Sequence, residues 1–263
     1  MAQRLDKELV ARGLFASRAK AQEAIDAGVV VVNGAAAEKA SLKVSADDDL
    51  AIAGETLAYV SRAGLKLEHA IEVFDIDLSG RKLLDIGSST GGFTDCALQK
   101  GAVGSFAVDV GRDQLAPKLR GDSRVVVMEG RDFRELDPGV VEDADIASID
   151  VSFISATKLV DNLARMSNVI DVVCLIKPQF ECGKEVAHRF RGVPLDRQVH
   201  AQAISSVITA FAEGGFACQG VCASPIRGLS GNVEYLAHFK RVADSQAFDI
   251  QDVVERTFET FEI

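Results

Sequence analysis

Apolar positions recur along this chain with two different periods. Leu5, Leu9 and Val10 make one apolar face, Arg4, Lys7 and Arg12 lie off it, and Gly13 breaks the pattern. Ser17 is placed to N-cap a second helix that buries Ala21, Ala24 and Ile25, and Gly28 is placed to stop it. Val29 to Val32 is β-branched and runs into Asn33-Gly34, a strong hairpin signal. The pattern thus predicts a small module of two short helices and a hairpin, ending near Ala58. Leu67, Ala70, Ile71 and Phe74 then fall at i, i+3, i+4 and i+7, the stripe of an amphipathic helix. Beyond it, strand-like runs at 81–87, 105–110, 124–129, 146–151 and 172–177 alternate with helical ones, and further strand candidates stand at 216–224 and 234–241. Leu159, Leu163, Met166 and Ile170 form one helical stripe, and Ile204, Val207, Ile208 and Phe211 another. Such alternation, with apolar β-branched strands, predicts an α/β fold whose mainly parallel sheet is covered on both faces. The stretch 179–197 carries Gly183, Gly192, Pro194 and several charges, and reads as a loop on the substrate side.

Composition narrows the class. The 263 residues suffice for one large domain, or for a medium one and a small one. With 48% hydrophobic and 26% charged residues, a packed core is expected and wholesale disorder is excluded. The formal net charge is -10, so any grip on nucleic acid must be local. The first module is the place for it. Through Lys43 it holds seven Lys/Arg against five Asp/Glu, a sign opposite to that of the whole chain, before the acidic run Asp47-Asp48-Asp49. Five scattered cysteines form no C-x-x-C pair, which makes zinc and disulfides poor readings and favours a reducing cytoplasm. The first residues have no apolar h-region, and runs such as Val172 to Ile176 fall far short of the ~20 residues of a membrane span. A soluble cytoplasmic protein, with neither metal nor membrane as a partner, is the expectation.

One motif points to a ligand. Leu83 to Phe93 reads as a strand, then the turn Gly87-Ser88-Ser89-Thr90-Gly91-Gly92, then a helix. Glycines there let backbone approach a ligand where a Cβ would clash. The next strand ends at Asp109, 22 residues after Gly87, where a carboxylate can accept hydrogen bonds from ribose hydroxyls. Ser89 stands at the second glycine position of G-x-G-x-x-G, so a pyrophosphate would fit poorly. Asp85 in the first strand and Asp132-Phe133 after the third suit the cationic sulfonium and the adenine amino group of S-adenosylmethionine better. The cofactor candidates are therefore Asp85, Gly87, Ser88, Ser89, Gly91, Gly92, Phe93, Asp109, Asp132 and Phe133. The plain alternative is a tight strand–helix turn with no ligand.

Asp150 and Lys177 end the fourth and fifth strands, on the edge where open parallel sheets carry their crevice. Lys66 borders the first stripe of the larger region, and Glu234 opens a late strand after Gly231-Asn232. Taken singly, Lys66 and Glu234 read as solvated charges, and Asp150 with Lys177 as an ion pair at the sheet edge. His188 and His200 have no partner at metal-ligand spacing, and the cysteines read as small core residues.

The order Lys66, Asp150, Lys177, Glu234 resembles the K-D-K-E tetrad of FtsJ-like ribose 2′-O-methyltransferases. The front module resembles an S4 RNA-binding domain through Arg4-Leu5-Asp6, Gly13, Ser17-Arg18, Ala21, Ile25, Gly28 and Val32-Asn33-Gly34. With Ser61 to Leu67, Asp85 to Asp95 and Gly231 to Glu234 added, essentially the whole chain resembles the TlyA family of bacterial rRNA methyltransferases, which also carry the name haemolysin. The resemblance implies an S4-like domain at 1–58, a linker at 59–62 and a Rossmann-like class I methyltransferase domain at 63–263. It also implies transfer of a methyl group from S-adenosylmethionine to the 2′-hydroxyl of a cytidine in 16S or 23S rRNA, with rRNA or ribosomal subunits as partners. Lys177 would take the hydroxyl proton, Asp150 would position Lys177, and Glu234 would orient Lys66. Arg4, Lys7, Arg12, Arg18, Lys20 and Arg62 would meet phosphate oxygens. Leu57-Ala58-Tyr59-Val60 lacks the Arg and Trp of some members, and Gly192 to Asp196 is less basic than the family pattern. Three rivals remain: an amino-group methyltransferase, for which Asp150-Val151-Ser152-Phe153 lacks the prolines; a ribosome-binding factor without catalysis; and a membrane-damaging toxin.

Overall fold

In the computed structural model, which describes residues 3–15, 17–26, 29–37, 39–52, 58–190, 192–228 and 231–263, the chain divides into two units, Met1–Ala58 and Tyr59–Ile263. The first unit runs β1 (Gln3–Arg4), α1 (Leu5–Ala11), α2 (Arg18–Asp26), β2 (Val30–Val32), β3 (Ala35–Ala36), β4 (Lys43–Val44) and β5 (Leu50–Ile52). Its core is the apolar face read from the sequence: Leu5, Leu9, Ala21, Ile25, Val30 and Val44 pack together. The Lys20 amide donates to Ser17 Oγ at 3.3 Å, the expected cap. Asn33 (φ 52°) and Gly34 (φ 83°) make the turn between β2 and β3, both left-handed as a tight hairpin turn demands. Gly28, the expected stop of α2, lies outside the described residues.

The second unit continues with α3 (Ala63–Phe74), β6 (Lys82–Ile86), α4 (Gly92–Gln99), β7 (Gly104–Asp109), α5 (Pro117–Arg120), β8 (Val125–Glu129) and β9 (Ile146–Ile149). It closes with α6 (Val160–Ala164), β10 (Asp171–Ile176), α7 (Pro178–Glu181), α8 (Lys184–Arg189), α9 (Arg197–Glu213), β11 (Ala217–Ala223), β12 (Tyr235–Lys240) and α10 (Ile250–Thr260). The seven strands lie in the order β11-β12-β10-β9-β6-β7-β8, and β12 alone runs against its neighbours. This is the expected α/β architecture. Tyr59 of the expected linker is buried in the second unit beside Leu67 and Phe93, and the Val60 amide donates to Asp95 Oδ2 at 2.9 Å, so 59–62 is packed structure.

Strand alternation sorts side chains between two cores, and this positions the site. Leu84, Ile86, Ala147, Ile149, Val172, Cys174, Ile176, Tyr235 and Ala237 face one core, with Phe211 of α9 and Phe258 of α10. Leu83, Ile146, Val173, Leu175 and Leu236 face the other, under Leu67 of α3 and Cys96 of α4. Side chains two residues apart share a face. Asp85, Asp150, Lys177 and Glu234 therefore all fall on the α3–α4 side of the sheet.

Three stretches differ from the sequence expectation. The stripe Leu159–Ile170 does not make one helix: a 3-10 turn at Ala156–Leu159 feeds α6, which stops at Ala164. There the Arg241 guanidinium, which follows β12, donates to the carbonyls of Leu163, Ala164, Met166 and Val169, supplying partners that a continuing helix would have provided. The expected loop at 179–197 holds α7 and α8. The last helix, α10, has no counterpart in the expectation; it buries Val254 and Phe258 on one face.

Candidate active site

β6 ends in a turn pressed against the chain that leaves β9. Gly87 has φ 85°, and a Cβ there would stand 2.6 Å from the Asp150 carbonyl oxygen, so only glycine allows the approach. The Ser89 amide donates to Asp109 Oδ2 at 2.8 Å and the Gly111 amide to Oδ1 at 2.7 Å, which fixes this carboxylate at the end of β7. A cavity of about 500 Å³ opens there, lined by Gly87, Ser89, Asp109, Asp132, Phe133 and Asp150 among others. Ser88 Oγ is buried without a hydrogen-bond partner among the described residues. The Arg134 guanidinium, 2.5 Å from Asp132, holds that carboxyl below its ordinary range.

The other expected cofactor residues support the turn from behind. Gly91 (φ 95°) lies against Leu115 and Leu119, and Gly92 opens α4. Phe93 is a core residue between α4 and α3. Asp85 is fully buried beneath the floor, outside the cavity lining. It accepts hydrogen bonds from Thr94 N (3.1 Å), Thr94 Oγ1 (2.7 Å) and Ser148 Oγ (3.0 Å), so it pins the start of α4 to β6 and β9. Burial without a cation pushes its carboxyl up to about 6, against the pull of those donors.

The tetrad assembles as two buried ion pairs. Lys66 Nζ is 2.5 Å from Glu234 Oε2, and Lys177 Nζ is 2.6 Å from Asp150 Oδ1. The second contact is electrostatic and poorly aligned: Oδ1 has no hydrogen bond of good geometry, and the ammonium donates instead to Ser152 Oγ at 3.1 Å. Both lysines are 8% exposed, and charges this deep persist only when paired. Strand register brings the pairs side by side. Ile176 and Tyr235 are the last partners of β10 and β12, so Lys177 and Glu234 stand opposite one step further on. The Asp150 amide donates to the Ile86 carbonyl at 2.9 Å, which seats Asp150 beside Gly87. Glycine turn, Asp150, Lys177 and Glu234 thus follow one another along the sheet rim, with Lys66 reaching in from α3.

The sequence reading passed over one residue of this rim. Phe153 lines the cavity at 92% exposure and at φ 66°, a backbone region that L side chains adopt only under constraint. Its ring centroid lies 5.3 Å from that of Phe180, whose ring is 5.9 Å from Lys177 Nζ. The motif Asp150-Val151-Ser152-Phe153 is the available signal, since its fourth position is aromatic although the prolines of an amino-group methyltransferase are missing.

In the first unit the expected RNA contacts divide into two groups. Lys7 and Lys20 are exposed and make no ion pair among the described residues. Arg4 Nε and Arg18 Nη2 instead hold the buried Asp6, at 2.9 and 2.7 Å, and keep its carboxyl down at about 2. Arg12 pairs with Glu8 at 2.8 Å and donates to the carbonyls of Ser45, Ala46 and Asp48. Arg62 belongs to the second unit, where it donates to the Arg227 carbonyl at 3.3 Å.

Residues 59–241 match the FtsJ-like methyltransferases, and residues 3–50 the S4 domain. The protein named 16S/23S rRNA (cytidine-2′-O)-methyltransferase TlyA in Mycobacterium tuberculosis is 42% identical over 96% of this chain and 96% of its own length. Hemolysin A of Brachyspira hyodysenteriae is 40% identical over 90% of this chain and 99% of its own. A solved structure from Streptococcus thermophilus that bears a hemolysin name superposes with a TM-score of 0.79 at 39% identity, covering 99% of this chain and 97% of that one. Among the described residues, no helix is long and apolar enough to cross a membrane. By these matches the chain belongs to the FtsJ-like methyltransferase family and carries an S4 domain before it.

Proposed function

We propose that the protein transfers a methyl group from S-adenosylmethionine to the ribose 2′-hydroxyl of a cytidine in ribosomal RNA, in the cytoplasm. The observation that carries this reading is the pair of buried ion pairs, Lys66–Glu234 and Lys177–Asp150, beside the glycine-turn cavity. The cavity suits an adenosyl cofactor by its own chemistry. Gly87 lets the turn lie against the Asp150 carbonyl at the cavity wall, and Asp109 has lone pairs left for ribose hydroxyls after accepting two amides. Asp132 is a second acceptor, suited to an adenine amino group. When bound, the sulfonium supplies an activated methyl group and its own leaving group.

The chain then has to align a hydroxyl and remove its proton. As the 2′-oxygen gains the methyl, its proton passes to Nζ of Lys177, which must first have released one of its own. Asp150 and Ser152 hold that nitrogen in place. Lys66, oriented by Glu234, keeps a positive charge near the 2′-oxygen while electron density builds there. Phe153 offers a bare aromatic face at the cavity mouth, on which a base turned out of its helix can stack. The choice of a ribosomal cytidine rests on the name of the Mycobacterium tuberculosis relative and on the S4 domain. The test is incubation of purified small and large ribosomal subunits with labelled cofactor, followed by nuclease digestion and mass spectrometry. Label on the ribose of cytidine is the expected result, and label on a base amino group would refute it. Lys177→Ala should abolish transfer while changing cofactor affinity less than about threefold, because removing a proton acceptor leaves the cofactor's own contacts in place. Undiminished transfer in that variant would remove Lys177 from the mechanism.

A further inference from the structure

Two stretches that are distant in sequence share the work of the rim. One, after β9, carries Asp150, Ser152 and Phe153; the other is α7, with Lys177 as its N-cap residue and Phe180 within it. Neither holds itself. α7 is only 4 residues long and has no side-chain cap, far too short to be stable alone. The first stretch includes Phe153 at positive φ, a conformation that persists only when its surroundings impose it.

The last residue of α7 supplies that constraint. Glu181 Oε2 lies 2.5 Å from Ser155 Oγ, and Oε1 accepts a hydrogen bond from the Ala156 amide at 2.8 Å. Ser155 is in turn the N-cap of the 3-10 turn Ala156–Leu159, its hydroxyl accepting from the Thr157 amide at 3.2 Å. One carboxylate therefore grips a side chain and a backbone amide of the opposite stretch, two and three residues beyond Phe153. Burial pushes this carboxyl up and the two donors oppose the shift, as for a group held inside the protein for its contacts. The tetrad chemistry does not use it.

We propose that Glu181 is a positioning residue for methyl transfer, setting the 150–156 stretch against Lys177 by its grip on Ser155 and Ala156. The inference rests on Lys177 being the proton acceptor in ribose methylation. Without the grip, Asp150, Ser152 and Phe153 lose their fixed distance from Lys177. The adenosyl end of the cavity keeps its frame, which hangs on Asp109 and the Ser89 and Gly111 amides.

The experiment compares full-length wild type, Glu181→Ala, Glu181→Gln, Ser155→Ala and the double variant Glu181→Ala/Ser155→Ala. Each is assayed for single-turnover methylation of ribosomal subunits, cofactor dissociation constant by calorimetry, and melting temperature. Loss of alignment should slow single turnover in Glu181→Ala by about tenfold or more, with cofactor affinity within about threefold of wild type. Glu181→Gln keeps an acceptor for the Ala156 amide and should recover to within about threefold of wild type. The double variant should be no slower than Glu181→Ala, because both changes break one grip. A wild-type rate in Glu181→Ala overturns the proposal. So does a rate that falls in step with cofactor affinity and melting temperature and is not rescued by Gln. Should Glu181→Ala fail to fold, Ser155→Ala decides: a rate reduced severalfold at unchanged cofactor affinity supports the grip, and a wild-type rate overturns it. Failure of the underlying reading looks different, since wild type itself would then leave the ribose unmethylated.

Discussion

Replacing Asp85 with Asn should make the second unit more stable at neutral pH and leave it little changed in acid. Asp85 is fully buried, is held by Thr94 and Ser148, and titrates near 6 in the fold against 3.8 ordinarily. Between those values the folded form binds a proton that the unfolded chain has released. Stability due to this carboxyl is therefore complete below the unfolded value, falls as pH rises through the window, and reaches its minimum above the folded value. The loss amounts to about 3 kcal/mol once both forms are ionised. Asparagine never ionises. Its amide oxygen can take the place of Oδ2 toward Thr94, and its NH₂ can donate to the Ser148 hydroxyl, so the local contacts survive. The difference between variant and wild type should rise from near zero at about pH 4 to about 3 kcal/mol by about pH 7, then level off. Urea unfolding curves taken at intervals across that range measure it, at low protein concentration because the pI is near 5.0. A difference that stays constant with pH would refute the reasoning, as would a variant less stable than wild type at pH 7.

Other outcomes follow from the same contacts. Asp6→Ala should destabilise the first unit by about 2 kcal/mol at low salt, less at high salt because Arg18 is exposed, and hydrogen exchange at the α1 amides measures it. Because the Asp6 carboxyl is held low, at about 2, that stability is present above its ordinary value of 3.8 and fades as pH drops toward 2. Gly87→Ala combines a positive φ with a Cβ driven into the Asp150 carbonyl, a strain of about 1–3 kcal/mol, and should lower both cofactor affinity by calorimetry and melting temperature. Lys7→Glu with Lys20→Glu should weaken binding to ribosomal RNA and flatten the slope of log affinity against log salt by about 1.5, while an unchanged slope would take both lysines away from phosphate.

Much of this molecule was legible in the sequence because its signals are local. Period-two alternation in 83–86, 146–149 and 172–176 fixes which core each strand side chain joins, and the same count puts Asp85, Asp150 and Lys177 on one face. What was not legible depends on partners far away along the chain. The α6 stripe ends because Arg241 takes its carbonyls, 72 to 78 positions distant. Arg4, Arg12 and Arg18 read in the sequence as phosphate contacts, and only the position of Asp6 and of the 45–48 carbonyls reveals their internal ties. In the sequence Asp85 suits a ligand contact, because a carboxylate beside the turn would complement a cationic sulfonium. Its hydrogen bonds to Thr94 and Ser148 place it behind the turn instead. Phe153 has only its place in the 150–153 motif as a signal and Glu181 has none, since a left-handed phenylalanine and a half-buried carboxyl look like any others until the two stretches meet.

The reversed direction of β12 governs when the Lys66–Glu234 pair can close as the chain is synthesised. A parallel strand would deliver Glu234 to the far side of the sheet; because β12 runs backwards, the residue just before it arrives at the rim where Lys66 waits. Six strands of the sheet and the whole glycine turn precede that residue, so a nascent or prematurely terminated chain can assemble the cavity while the early lysine still lacks its counter-ion. The Lys66–Glu234 pair is thus closed by the last strand of the sheet to be made, and a chain cut short before β12 would keep the glycine turn while leaving a deeply placed ammonium without its partner.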